Sequence, residues 1–270
     1  MPSKGEEQMK TCEENIRATY DRQGYLTSLS VLSEAELQEA QEAFRQLEKT
    51  HGEAYTQYSL HNIHLQHKWA MDLAKHPKLL RVMMALLGPD VILLDSRFIC
   101  KYPTVQQEQR RSETHPESGL PYVAWHQDMR YWAVAGGPVI SVWLALDDTT
   151  KENGALQVIP GSHKSGMFPH HQALRHGNML TVNQEIPSEL LPSQQALLCP
   201  LSAGQMSVHD GFLVHASDPN MSQRRRCGFV VRYVSTSAFP IDDPDRPRKF
   251  HSTVLISGTD HFNHFSSKRT

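Results

Sequence analysis

Residues 139–163 read VISVWLALDDTTKENGALQVIPGSH, and this stretch decides the fold class. Two short runs rich in β-branched and aromatic residues, 139–146 and 155–159, are separated by Asp, Thr, Asn and Gly. Such side chains favour extended strands, whereas the dipeptides Asn153-Gly154 and Pro160-Gly161 favour tight turns. The stretch is therefore interpreted as strand, turn, strand and turn.

The same pattern of short β-branched and aromatic runs separated by turn residues extends over most of the C-terminal part of the chain. Many short strands with turn signals between them indicate an all-β sandwich or barrel. A polar segment without periodicity, 104–121, interrupts them, and segments of that length are often lids or binding loops. We therefore predict a β core over 91–258 with a long loop at 104–121. Its further strand candidates are 91–102, 122–126, 205–208 and 228–234.

Residues 1–90 have mainly helical patterns. Ser33 and Glu36 form a capping box that opens a helix running to about residue 49. Without an internal repeat to mark a second domain, we predict one α+β domain over 1–270, in which 1–90 flanks the β core. Other helix candidates are 6–22, 65–75 and 77–87. The histidines of this zone are expected on the surface: His51, His61, His64, His67 and His76.

Composition excludes several functional classes. Hydrophobic residues make up 39% and charged residues 21% of the chain, as in ordinary globular proteins. A formal charge of −2 gives no reason to expect nucleic acid as partner. No signal segment or membrane-spanning apolar run is evident, and the four cysteines form no C-x-x-C pair. We expect a cytoplasmic protein that binds neither nucleic acid nor membranes. Its oligomeric state is left open.

The tetrapeptide Trp125-His126-Gln127-Asp128 is the first chemical signal. Residues i and i+2 of a strand point to the same side, so His126 and Asp128 can bind one ion together. With 16 histidines in the chain this pattern alone is weak, but His215 supplies a third ligand. Two histidines and one carboxylate occupy one face of an iron ion and leave three positions open. His209, with the same strand parity as His215, is the rival ligand.

Arg226 meets a second requirement of such a centre. A dicarboxylate cosubstrate that chelates iron at one end needs its far carboxylate held in place. A planar guanidinium does this with two hydrogen bonds and keeps its charge. The roles of Gln127 and Arg232 stay open at this point.

Three segments together resemble the phytanoyl-CoA dioxygenase family, and they occur in the family's order: WHQD at 125–128, WLALDDTTKENGALQVIPGSH at 143–163 and HASDPNMSQRRR at 215–226. The resemblance runs from about residue 25 to 233 and implies a double-stranded β-helix core (jelly-roll, cupin-like) flanked by N-terminal helices. It also implies Fe(II) bound by His126, Asp128 and His215, with 2-oxoglutarate bound by Arg226. Lys101 and Trp143 match further cosubstrate-binding positions.

The resemblance implies an Fe(II)- and 2-oxoglutarate-dependent dioxygenase. Such an enzyme uses O2 to oxidise, most often to hydroxylate, a small organic molecule, and it releases succinate and CO2. The identity of the substrate cannot be predicted from the sequence. Two alternatives are a metalloenzyme without redox chemistry and a cupin-type metal-binding protein without turnover. The first leaves Arg226 without a task, and the presence of every expected ligand counts against the second.

Overall fold

Residues 4–103, 119–191, 195–244 and 249–265 are described by the computed structural model of the chain. The predicted loop at 104–121 therefore lies almost wholly outside the described residues. The α-helices are α1 (Lys4–Gln23), α2 (Glu34–His51), α3 (Glu53–Thr56), α4 (Lys68–Ala74) and α5 (Pro77–Leu87). The strands are β1 (Tyr25–Ser30), β2 (Val91–Lys101), β3 (Val123–His126), β4 (Val134–Ala135), β5 (Ile140–Ala145), β6 (Leu156–Val158), β7 (His171–Gln172), β8 (Gln184–Glu185), β9 (Leu197–Cys199), β10 (Gln205–Asp210), β11 (His215–Ser217), β12 (Arg226–Ser235), β13 (Phe239–Pro240) and β14 (Val254–Ser257).

Two antiparallel sheets form the core. The larger has six strands in the order β1-β10-β5-β12-β2-β14, and the smaller has four in the order β3-β11-β6-β9. Neighbours in both sheets are mostly distant in sequence, which is the topology of a jelly roll. The predicted fold class, an all-β core with flanking N-terminal helices, is confirmed. That all of it forms one domain stays a prediction.

Strand β12 shows how the large sheet divides its two faces. It lies between β5 and β2, and nine of its ten residues are buried. Successive side chains point to opposite faces of a strand. Phe229 and its alternate neighbours join the main hydrophobic cluster, where the Phe98 ring lies 4.7 Å from Phe229 and 4.9 Å from Phe44 of α2. Because helices cover this face, Arg226 and Arg232 point to the opposite face, towards the smaller sheet.

Most predicted elements are confirmed, since α2, α5, β2, β5 and β12 match their predicted bounds to within about two residues. Eight strands of the described part of the chain were missed: β1, β4, β7, β8, β9, β11, β13 and β14. The longest of them, β1, lies between two helices and pairs with β10 at the sheet edge. The surface prediction for His64 is wrong. Its ring is buried, with Nδ1 at 2.5 Å from the Ser96 hydroxyl and Nε2 at 2.9 Å from the Ser252 carbonyl. No described helix has the length and apolar character to span a membrane.

We predict that Gly228→Ala is destabilising by about 1–3 kcal/mol, the usual cost of overpacking a buried site. A Cβ atom at position 228 would overlap the Trp143 ring across the β12–β5 ladder. The measurement is the free energy of unfolding in urea. Gly137→Ala is the control, because a Cβ there meets only Ala238 at 4.0 Å. Equal effects of the two substitutions would contradict this packing.

Candidate metal centre and cosubstrate pocket

Strands β3 and β11 bring the three predicted metal ligands together. His126 is the last residue of β3 and pairs directly with His215, the first residue of β11. The strand ends at His126, but Gln127 stays extended (φ −123, ψ 130), so Asp128 still points to the same side as His126. One ligand atom from each of the three residues lies within 4.8 Å of the others, and all three residues are buried. The three side chains are thus close enough to bind one ion, and whether they do so depends on their protonation states and charges.

Both imidazoles are oriented by a backbone carbonyl two residues earlier. Nδ1 of His126 lies 2.8 Å from the Ala124 oxygen, and Nδ1 of His215 lies 2.8 Å from the Leu213 oxygen. A carbonyl oxygen only accepts, so Nδ1 carries the hydrogen in each ring. The lone pair is therefore on Nε2, which faces Asp128. A neutral imidazole fixed in this way is the ordinary metal-binding form.

The Asp128 carboxylate is held from the opposite sheet. The Ser141 hydroxyl on β5 donates to Oδ2 at 2.5 Å, and Nε of Arg232 on β12 donates to the same oxygen at 3.2 Å. Burial alone raises the pKa of this carboxyl. Arg232 and then the histidines outweigh burial, so the pKa lies well below its ordinary value. Asp128 therefore stays ionised. Arg232, whose position the sequence left open, is internal.

The electrostatics of His215 favour its neutral form. Burial, followed by the neighbouring His126 and His209, holds its pKa well below the ordinary value. Two imidazoles and one carboxylate are a donor set that suits Fe(II). His209 does not belong to this group. Its Nε2 lies 3.7 Å from Oδ2 of Asp128, and neither ring nitrogen has a hydrogen-bond partner.

Arg226 and Trp143 line the same cavity as the candidate ligands. This cavity has a volume of about 560 Å³. The guanidinium carbon of Arg226 lies 4.3 Å from the centre of the Trp143 ring, and its buried Nε has no hydrogen-bond partner. Burial lowers the pKa of Arg226 to about 10, so the group keeps its charge at neutral pH. Asp128 is the one carboxylate among the described lining residues, and it pairs with Arg232. Because a buried charge without a partner is costly, an acidic ligand at this end of the cavity would be stabilising.

Lys101 has a different environment from Arg226. Its buried ammonium donates to the Ser217 carbonyl at 3.1 Å, the Ser217 hydroxyl at 2.6 Å and the Asp218 carbonyl at 2.5 Å. An ammonium has three hydrogens, and these contacts use all of them. Lys101 is not among the described residues that line the cavity. Lys101 therefore stabilises the segment that follows His215. That Lys101 binds the cosubstrate stays a prediction.

Gln127 points away from the cavity. Its amide nitrogen donates to the carbonyls of Gly166 and Phe212, and its amide oxygen accepts the backbone N–H of Phe168. The side chain therefore ties the segment between the two candidate ligands to neighbouring loops. This orientation agrees with its odd position between His126 and Asp128 in an extended segment.

Three residues of the candidate site escaped the sequence-based analysis. Ser141 holds the carboxylate of Asp128, while Arg97 and Tyr58 line the cavity. Alternation along a strand was a usable signal, because Ser141 shares its face with Trp143, and Arg97 shares its face with Lys101. Arg130, Tyr131 and Trp132, which follow the ligand pair in the chain, also line the cavity. His61, expected on the surface, is exposed and also lines this cavity.

Fold and site together define a class: jelly-roll proteins with a two-histidine, one-carboxylate centre beside a cationic pocket. The sequence model of one family, phytanoyl-CoA dioxygenase (PhyH), matches residues 20–228. The chain belongs to the phytanoyl-CoA dioxygenase family, and the resemblance seen in the sequence is confirmed.

Individual relatives share between a quarter and a third of their aligned residues with this chain. A protein from Stutzerimonas stutzeri, named a probable alpha-ketoglutarate-dependent hypophosphite dioxygenase, is 26% identical over 197 residues, 73% of this chain and 64% of that protein. Phytanoyl-CoA dioxygenase of Arabidopsis thaliana is 28% identical over 145 residues, 54% of this chain and 45% of that protein. The chain thus spans about half to two thirds of the length of these relatives. The solved apo structure of the non-heme monooxygenase ThoJ is 26% identical, with a TM-score of 0.71 and coverage of 94% of this chain and 86% of that one.

We predict that Ser141→Ala weakens Fe(II) binding roughly 10- to 100-fold, the usual effect of removing a group that orients a metal ligand. Arg232 keeps Asp128 ionised in this variant, so the loss reports the position of the carboxylate. Competition with a coloured chelator under anaerobic conditions measures the affinity. Ser207→Ala is the matched control, since Ser207 is equally buried on the adjacent strand β10 and its hydroxyl has no partner. Unchanged affinity in Ser141→Ala would mean that this hydrogen bond does not position Asp128.

Proposed function

We propose that this chain is an Fe(II)- and 2-oxoglutarate-dependent dioxygenase that hydroxylates or otherwise oxidises a small organic molecule. One observation carries the proposal. A two-histidine, one-carboxylate group and the buried guanidinium of Arg226, whose Nε is unpaired, open onto the same cavity. Family membership and the 2-oxoglutarate-dependent activity named for the Stutzerimonas relative support the same reading.

The residues divide the work as follows. His126, Asp128 and His215 hold the iron, and Arg226 holds the distal carboxylate of 2-oxoglutarate. Trp143 packs against the guanidinium, which keeps it in one orientation and excludes water from one of its faces. When bound, iron and 2-oxoglutarate supply an O2-dependent oxidation whose coproducts are succinate and CO2.

The alternatives without redox chemistry account for less of the site. A metal-binding protein or a non-redox metalloenzyme of the cupin type would use the same three ligands. It would leave the Arg226 Nε, buried and without a partner, unexplained. A cytoplasmic location stays a prediction from composition, and a small-molecule substrate stays a prediction from family membership.

We expect anaerobic addition of Fe(II) and 2-oxoglutarate to the purified protein to produce a visible charge-transfer band. His215→Ala removes one ligand and should abolish the band. Arg226→Gln should raise the 2-oxoglutarate concentration needed by at least about tenfold while leaving Fe(II) affinity unchanged, because a charge-assisted hydrogen bond contributes roughly 1.5–3 kcal/mol. Absorbance titrations give both quantities.

Arg224→Gln is the control for the arginine substitution, since Arg224 is exposed and lies outside the cavity. This variant should titrate like the wild-type protein. Exposure of the loaded protein to O2 should then yield succinate. Absence of the band, or a band without O2-dependent succinate, would overturn the proposed function.

A further inference from the structure

The charges that line the cavity are unbalanced. Four guanidinium groups line it, whereas Asp128 contributes the one carboxylate among the lining residues that the structure describes. Arg232 pairs with Asp128, and under the proposed function Arg226 pairs with the cosubstrate. Bound Fe(II) and dianionic 2-oxoglutarate carry equal and opposite charges, so an excess of three positive charges remains after loading. Arg226 then faces a cosubstrate carboxylate, whereas Arg97 and Arg130 face no carboxylate among the described lining residues.

Arg97 is held in place but lacks an acceptor. It lies on β2 opposite Val230 of β12, so it faces the cavity one strand away from Arg226. Its guanidinium carbon lies 4.7 Å from the centre of the Tyr58 ring, which fixes the plane of the group. The Nε atom is buried and has no hydrogen-bond partner. A stacked guanidinium with a free edge is suited to an incoming anion.

A nearby carboxylate on the same strand face, Asp95, acts on a different arginine. Asp95 pairs in register with Arg232, two residues along the ladder from the pair of Arg97 and Val230. Burial lowers the pKa of Arg232, but the carboxylates of Asp128 and then Asp95 outweigh it and raise the pKa. No ion pair joins Arg97 to a carboxylate within the part of the chain that the structure describes.

The walls near Arg97 include a polar donor, Tyr131, and several apolar side chains. The Tyr131 hydroxyl is buried without a partner and can donate a hydrogen bond. Ile99, Val182 and Val230 add apolar surface. This wall suits an organic body more than a small inorganic ion.

We propose that the substrate is a small organic anion whose carboxylate or phosphoryl group binds Arg97 while its apolar body lies along Val230 towards the metal centre. This inference rests on the proposed function, because it assigns Arg226 to the cosubstrate. A neutral substrate would bury the Arg97 Nε without an acceptor, which is unfavourable.

The test uses three probes of equal chain length: octanoate, octyl phosphate and octanamide. Each is titrated anaerobically into the full chain loaded with Fe(II) and 2-oxoglutarate, and binding is followed by calorimetry and by the change in the charge-transfer band. At least one anion should bind about tenfold or more tightly than the neutral amide. Tighter binding of octanoate would indicate a carboxylate site, and tighter binding of octyl phosphate would indicate a phosphoryl site. Equal affinities for all three probes would overturn the proposal, and this comparison needs no variant.

Substitution locates the anion site. Arg97→Gln should weaken binding of the preferred anion at least about tenfold and leave affinity for 2-oxoglutarate unchanged. Arg175→Gln is the matched control, because its guanidinium also stacks on a tyrosine, 4.3 Å from the Tyr122 ring, but lies outside the cavity lining. Unchanged anion affinity in Arg97→Gln would overturn the proposal.

Repeating the calorimetry with metal-free protein separates this inference from the proposed function. If the iron chromophore never forms but anion binding depends on Arg97, the dioxygenase assignment fails and the anion site stands. If the chromophore forms and no anion binds, the anion site alone fails. Loss of anion binding in Arg226→Gln, with Arg97→Gln unaffected, would place the anion at the cosubstrate end and overturn the inference.

Discussion

The ionised carboxylate of Asp128 is the constraint on which the site depends. It follows β3 of the small sheet, yet its donors, Ser141 and Arg232, lie on β5 and β12 of the large sheet. A buried carboxylate without partners would cost several kcal/mol, so the two sheets must keep the separation at which these donors reach it. The jelly roll is thus closed here by a polar contact, and the same contact aims the carboxylate at the two candidate histidine ligands.

The strict alternation of β12 lets one strand serve two purposes. Phe229 and Tyr233 belong to the hydrophobic core under the helices, while Arg226 and Arg232 stand in the cavity. The core residues fix the position of the backbone, and the backbone fixes the spacing of the two guanidinium groups. A substitution that shifts Phe229 would therefore also shift the backbone that positions Arg226 and Arg232. In this strand, stability and recognition depend on the same residues being correctly placed.

Sequence alone predicted what is encoded locally. The β-branched runs predicted β2, β5 and β12, and the capping box at Ser33 predicted the start of α2. Motif order predicted the family and the three residues that meet at the candidate metal centre. Strand β1 was missed because its stability comes from pairing with β10, far along the chain. Ser141 and Arg97 were missed for the same reason: alternation gives the face of a strand, but only the order of strands in the sheet gives its neighbours.

The positions of β1 and β14 have a consequence for self-association. They occupy the two outer edges of the large sheet, and β1 covers β10, the strand that carries His209. An uncovered strand presents unpaired N–H and C=O groups, to which another chain can add a strand. A chain shortened beyond residue 30 would leave β10 uncovered in this way. Removal of this N-terminal strand would therefore make β10, close to the candidate metal centre, available for pairing with a strand of another molecule.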